Sequence, residues 1–170
     1  MKTIKGFTLI ELMTTLVVST TLISIAAPNF NSLYDHYRAD SSIRNIQQTL
    51  QLARNSAISY GVRVTTCPVV ENRCNEDWGL GLTVFTDSGE RNTLDGTDLI
   101  ISQTSPFEEK DTVIYNRAAI RFQPDGLASG TNGTLKYCPT TPDSQYSRAV
   151  IVNQAGRVRF SREEDISCRN

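Results

Sequence analysis

The hydrophobic rhythm of the chain changes twice. From Phe7 to Ala27 run 21 residues, FTLIELMTTLVVSTTLISIAA, in which the only charge is Glu11. As a helix this stretch would measure about 31 Å, enough to cross the hydrocarbon of a bilayer. Seven of its residues are Ser or Thr, so its hydropathy is moderate. Further on, Ile43, Ile46, Leu50, Ala53 and Ala57 recur at three- and four-residue spacing, which predicts one buried stripe between polar faces. Gly61 supplies a stop, so the helix is predicted to continue to about Ser59 and to reach about 75 Å. Pro28 and Asn29 should bend it or melt it locally, because proline removes a backbone donor and crowds the preceding turn. After Gly61 come short runs rich in β-branched and aromatic residues. The predicted strands are Val62–Cys67, Trp78–Phe85, Leu99–Thr104, Thr112–Tyr115, Ala119–Gln123, Thr134–Cys138, Arg148–Asn153 and Arg157–Ser161. Asp87-Ser88-Gly89, Asp95-Gly96, Asp125-Gly126 and Ala155-Gly156 punctuate them as turns. Strands at this spacing make antiparallel sheets stacked on the helix, an α+β fold.

Charge refines the picture. The chain carries 17 basic against 18 acidic side chains, so no global pull toward nucleic acid or acidic lipid follows. The distribution is uneven. Residues 71–111 hold ten acids and three bases, whereas 112–170 hold eight bases and five acids. A local positive patch in the C-terminal half is therefore open to the molecule. Lys2 and Lys5 precede the apolar run, and no Lys or Arg follows it until Arg38. That asymmetry predicts a cytoplasmic leader and an exported bulk. In that compartment the four cysteines, Cys67, Cys74, Cys138 and Cys168, would form disulfides. Three pairings are possible in principle. Cys67 and Cys74 bracket a short polar loop and could close it; Cys138 and Cys168 would then tie the tail to an interior strand. A metal site is the weaker reading, since C-x6-C lacks zinc spacing and the only histidine, His36, is distant and reads as part of a helix face.

Glu11 decides the class. A carboxylate at this depth costs about 2.5–3.5 kcal/mol on insertion scales, so it needs a partner. A cleaved signal peptide, the simpler alternative, has no use for an acid there, and Ala26 and Ala27 offer it only a weak cleavage site. Cutting after Gly6 instead would free an amine on Phe7, four residues before Glu11. Amine and carboxylate could then neutralise each other within one helix or between packed neighbours.

The segment GFTLIEL, Gly6 to Leu12, resembles the processing and assembly signature of type IV pilins and type II secretion pseudopilins. The resemblance implies that a prepilin peptidase cuts after Gly6 and methylates Phe7, and that Glu11 serves subunit recruitment. Pro28 resembles the family's helix-kinking proline. Further along, CPVVENRC, WGLGLTVF with Asp87 after it, FQPDG, KYC and RAVIVNQAGRVR follow the order of minor pilins of the FimT/FimU type and the pseudopilin GspH. The fold so implied is the type IV pilin fold, with a long N-terminal helix, its first half membrane-inserted, packed on antiparallel sheets. Its parts would be a leader 1–6, a transmembrane and assembly half 7–28, and a periplasmic domain 29–170. The implied role is a minor pilin in pilus assembly near the tip, with DNA uptake and type II secretion as alternatives. Partners would be other pilin subunits, the peptidase, the inner membrane and, in the uptake reading, a DNA backbone.

No catalytic constellation accompanies this. A G-x-S-x-G elbow, a phosphate-cradling glycine loop and paired histidines are all missing from the sequence, and it implies no cofactor and no metal. Glu163, Glu164 and Asp165 read as a solvated loop, the spacing of Asp87 and Asp95 matches no EF-hand, and Asn132-Gly133-Thr134 reads as a turn. The sharp feature is Gly156-Arg157-Val158-Arg159, with Arg162 beyond. In a strand Arg157 and Arg159 share a face about 6.5 Å apart while Val158 and Phe160 point inward. That interval suits successive phosphates of one nucleic-acid strand. In FimT-type minor pilins a C-terminal G-R-x-R is tied to DNA binding, and the resemblance puts Arg157 and Arg159 in that role. An ordinary edge strand, in which exposed Arg discourages edge pairing, has the same appearance.

Overall fold

A computed structural model of the chain describes residues 6–128, 130–163 and 165–169, with the side chains of 26–29 set aside. It divides into two units, Met1–His36 and Tyr37–Asn170. The expectations placed on Lys2, Lys5 and Glu164, and on the side chains of Pro28 and Asn29, fall outside the described residues.

Helix α1 spans Leu9–Tyr60. Gly61 ends it in a left-handed conformation (φ 66°), its N–H donating to the Ala57 carbonyl at 3.0 Å, which is the usual glycine C-cap. Within the second unit Ala39, Ile43, Ile46, Leu50, Ala53 and Ala57 are buried at alternating four- and three-residue steps. Half of these are alanines, so the sheets can approach the helix closely.

Two four-stranded antiparallel sheets complete the second unit. The first has the order β5-β4-β1-β7, with β1 Val64–Cys67, β4 Thr83–Thr86, β5 Ile100–Gln103 and β7 Ile120–Phe122. The second has the order β10-β9-β8-β6, with β6 Thr112–Ile114, β8 Gly133–Cys138, β9 Arg148–Val152 and β10 Val158–Phe160. Val64, Val84, Ile120 and Phe122 from one sheet meet Leu135, Tyr137, Val150 and Val152 from the other in a single core on the helix stripe. Cys67, Phe85 and Ala119 form a smaller cluster on the opposite face of the first sheet.

Two local expectations are corrected. Trp78–Leu80 is a turn of 3-10 helix, not the start of a strand. The Asp77 carboxylate accepts the Gly79 N–H at 3.0 Å, and Gly81, at φ 94°, then redirects the chain into β4. Trp78 is core nonetheless, its indole donating to the Arg117 carbonyl at 3.2 Å and its ring edge-on to Tyr115. Between Cys67 and Cys74 runs a small two-stranded ribbon, β2 Val69–Val70 and β3 Arg73–Cys74, too short to leave a periodic signal.

Both disulfides form as Cys67–Cys74 and Cys138–Cys168, separated by 7 and 30 residues. In the loop-closure picture they contribute about 2.5 and about 3.5 kcal/mol. Buried polar groups pin the loops. The Asp87 carboxylate accepts from Arg63 Nη2 at 2.9 Å, Thr65 Oγ1 at 2.5 Å and the Asn92 N–H at 3.2 Å. Asp111, its side chain fully buried, accepts from Arg38 Nη2 at 2.8 Å, from the Thr140 N–H at 3.1 Å and from the Tyr137 hydroxyl.

Candidate functional site

At the N-terminal end the geometry is that of a capping box. The backbone N–H and the hydroxyl of Thr8 both donate to Glu11 Oε2, at 2.9 and 2.8 Å, and the Glu11 N–H returns to Thr8 Oγ1 at 3.3 Å. Glu11 thus satisfies helix-start donors, a partner that sequence reasoning missed although T-x-x-E is its signature. Phe7, one residue earlier, is exposed. Gly6 has open space where a side chain would go and no positive φ, so the folded chain itself does not require glycine there.

Past this cap, Leu9, Ile10, Leu12, Met13, Leu16 and Val17 are all more than half exposed, as are Leu22, Ile23 and Ile25. Apolar surface on this scale marks an interaction face for lipid or protein. Thr14, Thr15, Thr20, Thr21 and Ser24 donate their hydroxyls to carbonyls three or four residues back, at 2.8–3.0 Å. The hydroxyls are therefore satisfied inside the helix, which makes a Ser/Thr-rich stretch tolerable in hydrocarbon. Among the described residues no single helix is long and apolar enough to cross a membrane; Leu9–Ile25 taken with Phe30–Tyr60 passes by length and composition.

The second candidate lies at the edge of the second sheet. Gly156 sits at φ 73° in the turn into β10, and a Cβ there would stand 1.8 Å from the Gly126 carbonyl oxygen. Asn153 closes the turn: its Oδ1 accepts the Arg157 N–H at 2.8 Å and its own N–H reaches the Arg157 carbonyl at 3.1 Å. β10 is shorter than the expected Arg157–Ser161 and pairs only with β9, Arg159 opposite Ile151; Arg159 is exposed on this edge strand, and Arg157 and Arg162 are exposed in the segments before and after it. Val158 is buried as expected. Phe160 is not: it is 36% exposed because the sheet ends beside it, and the Arg44 guanidinium lies 5.9 Å from its ring centre. A cleft of about 480 Å³ opens there, lined by Asp40, Arg44, Arg148, Phe160, Arg162 and Ile166. Arg44 escaped the sequence reading because helix and strand meet only in the fold. Glu163 and Asp165 are exposed beside this edge.

Asp87 and Asp95 do not converge on a cation, since Asp87 is consumed by its protein donors and Asp95 Oδ2 accepts the Glu90 N–H. No group of three His, Cys, Asp or Glu side chains able to hold a metal occurs among the described residues. His36 lies half-buried on α1.

The family described as type II transport protein GspH matches residues 42–156, and the prokaryotic N-terminal methylation motif matches residues 1–27. Crystal structures of the type IV minor pilin FimU of Pseudomonas aeruginosa share the fold. One has a TM-score of 0.63 at 20% identity over 77% of this chain and 95% of FimU; another crystal form scores 0.61 at 20% identity over 76% and 99%. The minor pseudopilin EpsH from the type 2 secretion system of Vibrio cholerae has a TM-score of 0.51 at 16% identity over 73% of this chain and 96% of EpsH. No curated protein matches the chain in sequence.

Proposed function

The chain belongs to the type II transport protein GspH family, and from that premise we propose that it is a minor pilin of a type IV pilus. It would be processed after Gly6 by a prepilin peptidase, methylated on Phe7, held in the inner membrane by α1 and then built into the fibre near its tip, in assembly with other pilin subunits. The observation that carries this reading is the exposed apolar first half of α1, headed by a glycine without structural need and a carboxylate four residues from the new amine. After the cut, the Phe7 amine would compete for the carboxylate that now caps the helix. Sequencing the mature protein from membranes should give Phe7 as its first residue. Glu11→Ala should leave cutting and insertion intact but deplete the protein from sheared fibres at least about tenfold, the loss of one charge pair in a dry contact. A mature start near Pro28, or Glu11→Ala present in fibres at the normal level, would refute this reading.

A second reading is favoured by the exposed Arg159 of edge strand β10 and Arg157 and Arg162 flanking it, which could grip phosphates of DNA during uptake. Duplex binding by the full chain in detergent micelles, followed by fluorescence anisotropy, should weaken steeply with salt. Arg157→Gln with Arg159→Gln should flatten that salt slope by about two. Unchanged affinity and slope would remove these residues from the role. The GspH family description and the likeness to EpsH favour secretion as the alternative system, which a deletion strain scored for twitching, transformation and secretion separates from the other two.

A further inference from the structure

Away from β10, four guanidiniums from separate stretches gather on the outer face of the first sheet. Arg121, in β7, stands in register with Thr65 of β1, on the face opposite Ile120 and Phe122. Its Nη1 donates to Asn92 Oδ1 at 3.3 Å, and the Asn92 backbone is itself held at φ 62° with its N–H on Asp87. Arg117, from the β6–β7 loop, is exposed and tethered through Nε to the Asn132 carbonyl at 3.4 Å. Between them lies a cleft of about 310 Å³ lined by Asn92, Asn116, Arg117, Arg121, Gly130 and Thr131, with no acid in its wall among the described residues.

The surrounding carboxylates offset it only in part. Asp87 faces the group and pairs with Arg63, cancelling that charge, while its other oxygen accepts from Thr65 and Asn92. Asp95 and Asp98 turn onto backbone N–H groups of their own loop, and Glu90 pairs with Arg73. Among the described residues Arg91, Arg117 and Arg121 make no salt bridge. The electrostatics register the crowding: burial first, then Arg91, with Arg63 and Arg117 adding and Asp87 opposing, lowers the hold of Arg121 on its proton. A merely solvated basic face would let such side chains splay apart. Here a half-buried guanidinium is fixed in place by Asn92 while facing others of its own sign.

We propose that this cleft binds a phosphate-type oxyanion, gripped by the forked N–H donors of Arg117 and Arg121 within the field of Arg91. More than one fork and a net positive wall suit a multidentate oxyanion better than a lone carboxylate. The ligand chemistry has two sources, free phosphate and the phosphodiester of a nucleic-acid strand. The site is independent of Arg157 and Arg159, so its fate and theirs are separable.

The test is NMR on the arginine Nε–H signals of the full chain in non-ionic detergent micelles, titrated with inorganic phosphate and, separately, with a short thymidine oligonucleotide. Saturable shifts at Arg117 and Arg121 are expected. Arg121→Gln and Arg117→Gln should each weaken binding about tenfold, the value of one charge-assisted contact, and Arg157→Gln should leave the phosphate response unchanged. Arg117 is exposed, so its variant tests the site even if Arg121→Gln disturbs the fold. Saturation by phosphate alone identifies a free-anion site; saturation by the oligonucleotide at far lower concentration identifies a phosphodiester site. Shifts that merely follow ionic strength, equal in sodium chloride, would overturn the proposal. So would saturation by a glutamate-rich peptide but not by phosphate, which would make the cleft a protein-docking surface.

Discussion

Gly156→Ala should destabilise the second unit by about 3–5 kcal/mol, summing the strain of a left-handed backbone and of overpacking against a fixed neighbour. The neighbour is the Gly126 carbonyl, 1.8 Å from the position of the added carbon, and Arg54 Nε donates to that same carbonyl at 3.1 Å. Neither the peptide nor the helix that holds it can yield cheaply. Gly61→Ala is the control. Gly61 has φ 66° with nothing within 4 Å of a Cβ, so only the backbone strain of about 1 kcal/mol should appear. Denaturant unfolding of both variants isolates the steric part; equal losses would mean that the close approach to Gly126 carries no weight. The result bears on how G-R-x-R is read. Its glycine is explained by packing of two turns on α1, whereas its arginines make no comparable demand on the fold.

Asp111→Asn should cost about 3–5 kcal/mol, the penalty for stripping a buried cation of its counter-charge. The Arg38 side chain is 10% exposed and Asp111 0%, so water cannot take over. At roughly 2–4 °C per kcal/mol for a chain of this size, melting should fall by about 10 °C. A loss under about 1 kcal/mol, the level of an exposed pair, would show that the network is solvated in solution. The same network predicts an alkaline limit. Burial, and then the hydrogen bond to Asp111, pushes the Tyr137 hydroxyl up to about 12 from its ordinary 10.0. The native state therefore keeps a proton that the unfolded chain releases. Its stabilising effect is complete below about pH 10 and is lost as the pH rises toward 12. Tyr137→Phe should shallow that fall without abolishing it, because burial raises Tyr115 as well.

Periodic features were legible in the residues. The stripe from Ile43 to Ala57 fixed the helix face, and Gly61 its end, because a helix repeats its contacts at a constant interval. Strands were legible where β-branched residues cluster, as in Arg148–Val152, but not at Trp78–Leu80. There a single side-chain cap on Gly79 overrides the strand propensity of Trp78 and the apolar residues after it. The candidate sites divide the same way. Gly6, Glu11, Arg157 and Arg159 lie within short contiguous motifs. Arg63, Arg91, Arg117 and Arg121 are scattered over almost sixty positions, and they meet because β7 pairs with β1, its non-sequential neighbour. Nothing in the spacing could announce that. The net acidity of 71–111 even pointed the other way, since Arg91 belongs to that stretch, and of its acids Asp87, Asp95 and Asp98 are held by donors of the protein itself.

The hydroxyls of Thr14, Thr15, Thr20, Thr21 and Ser24, each spent on its own backbone, have a mechanical consequence. They leave α1 beyond Glu11 with few directional groups to offer a neighbour, so rods of this kind, bundled side by side, would cohere along that stretch through shape and dispersion. Past the one charge pair at the end, such a bundle could slip by fractions of a turn under tension without rupturing a link. A cable built this way would stretch and recover, where one laced by specific bonds would snap.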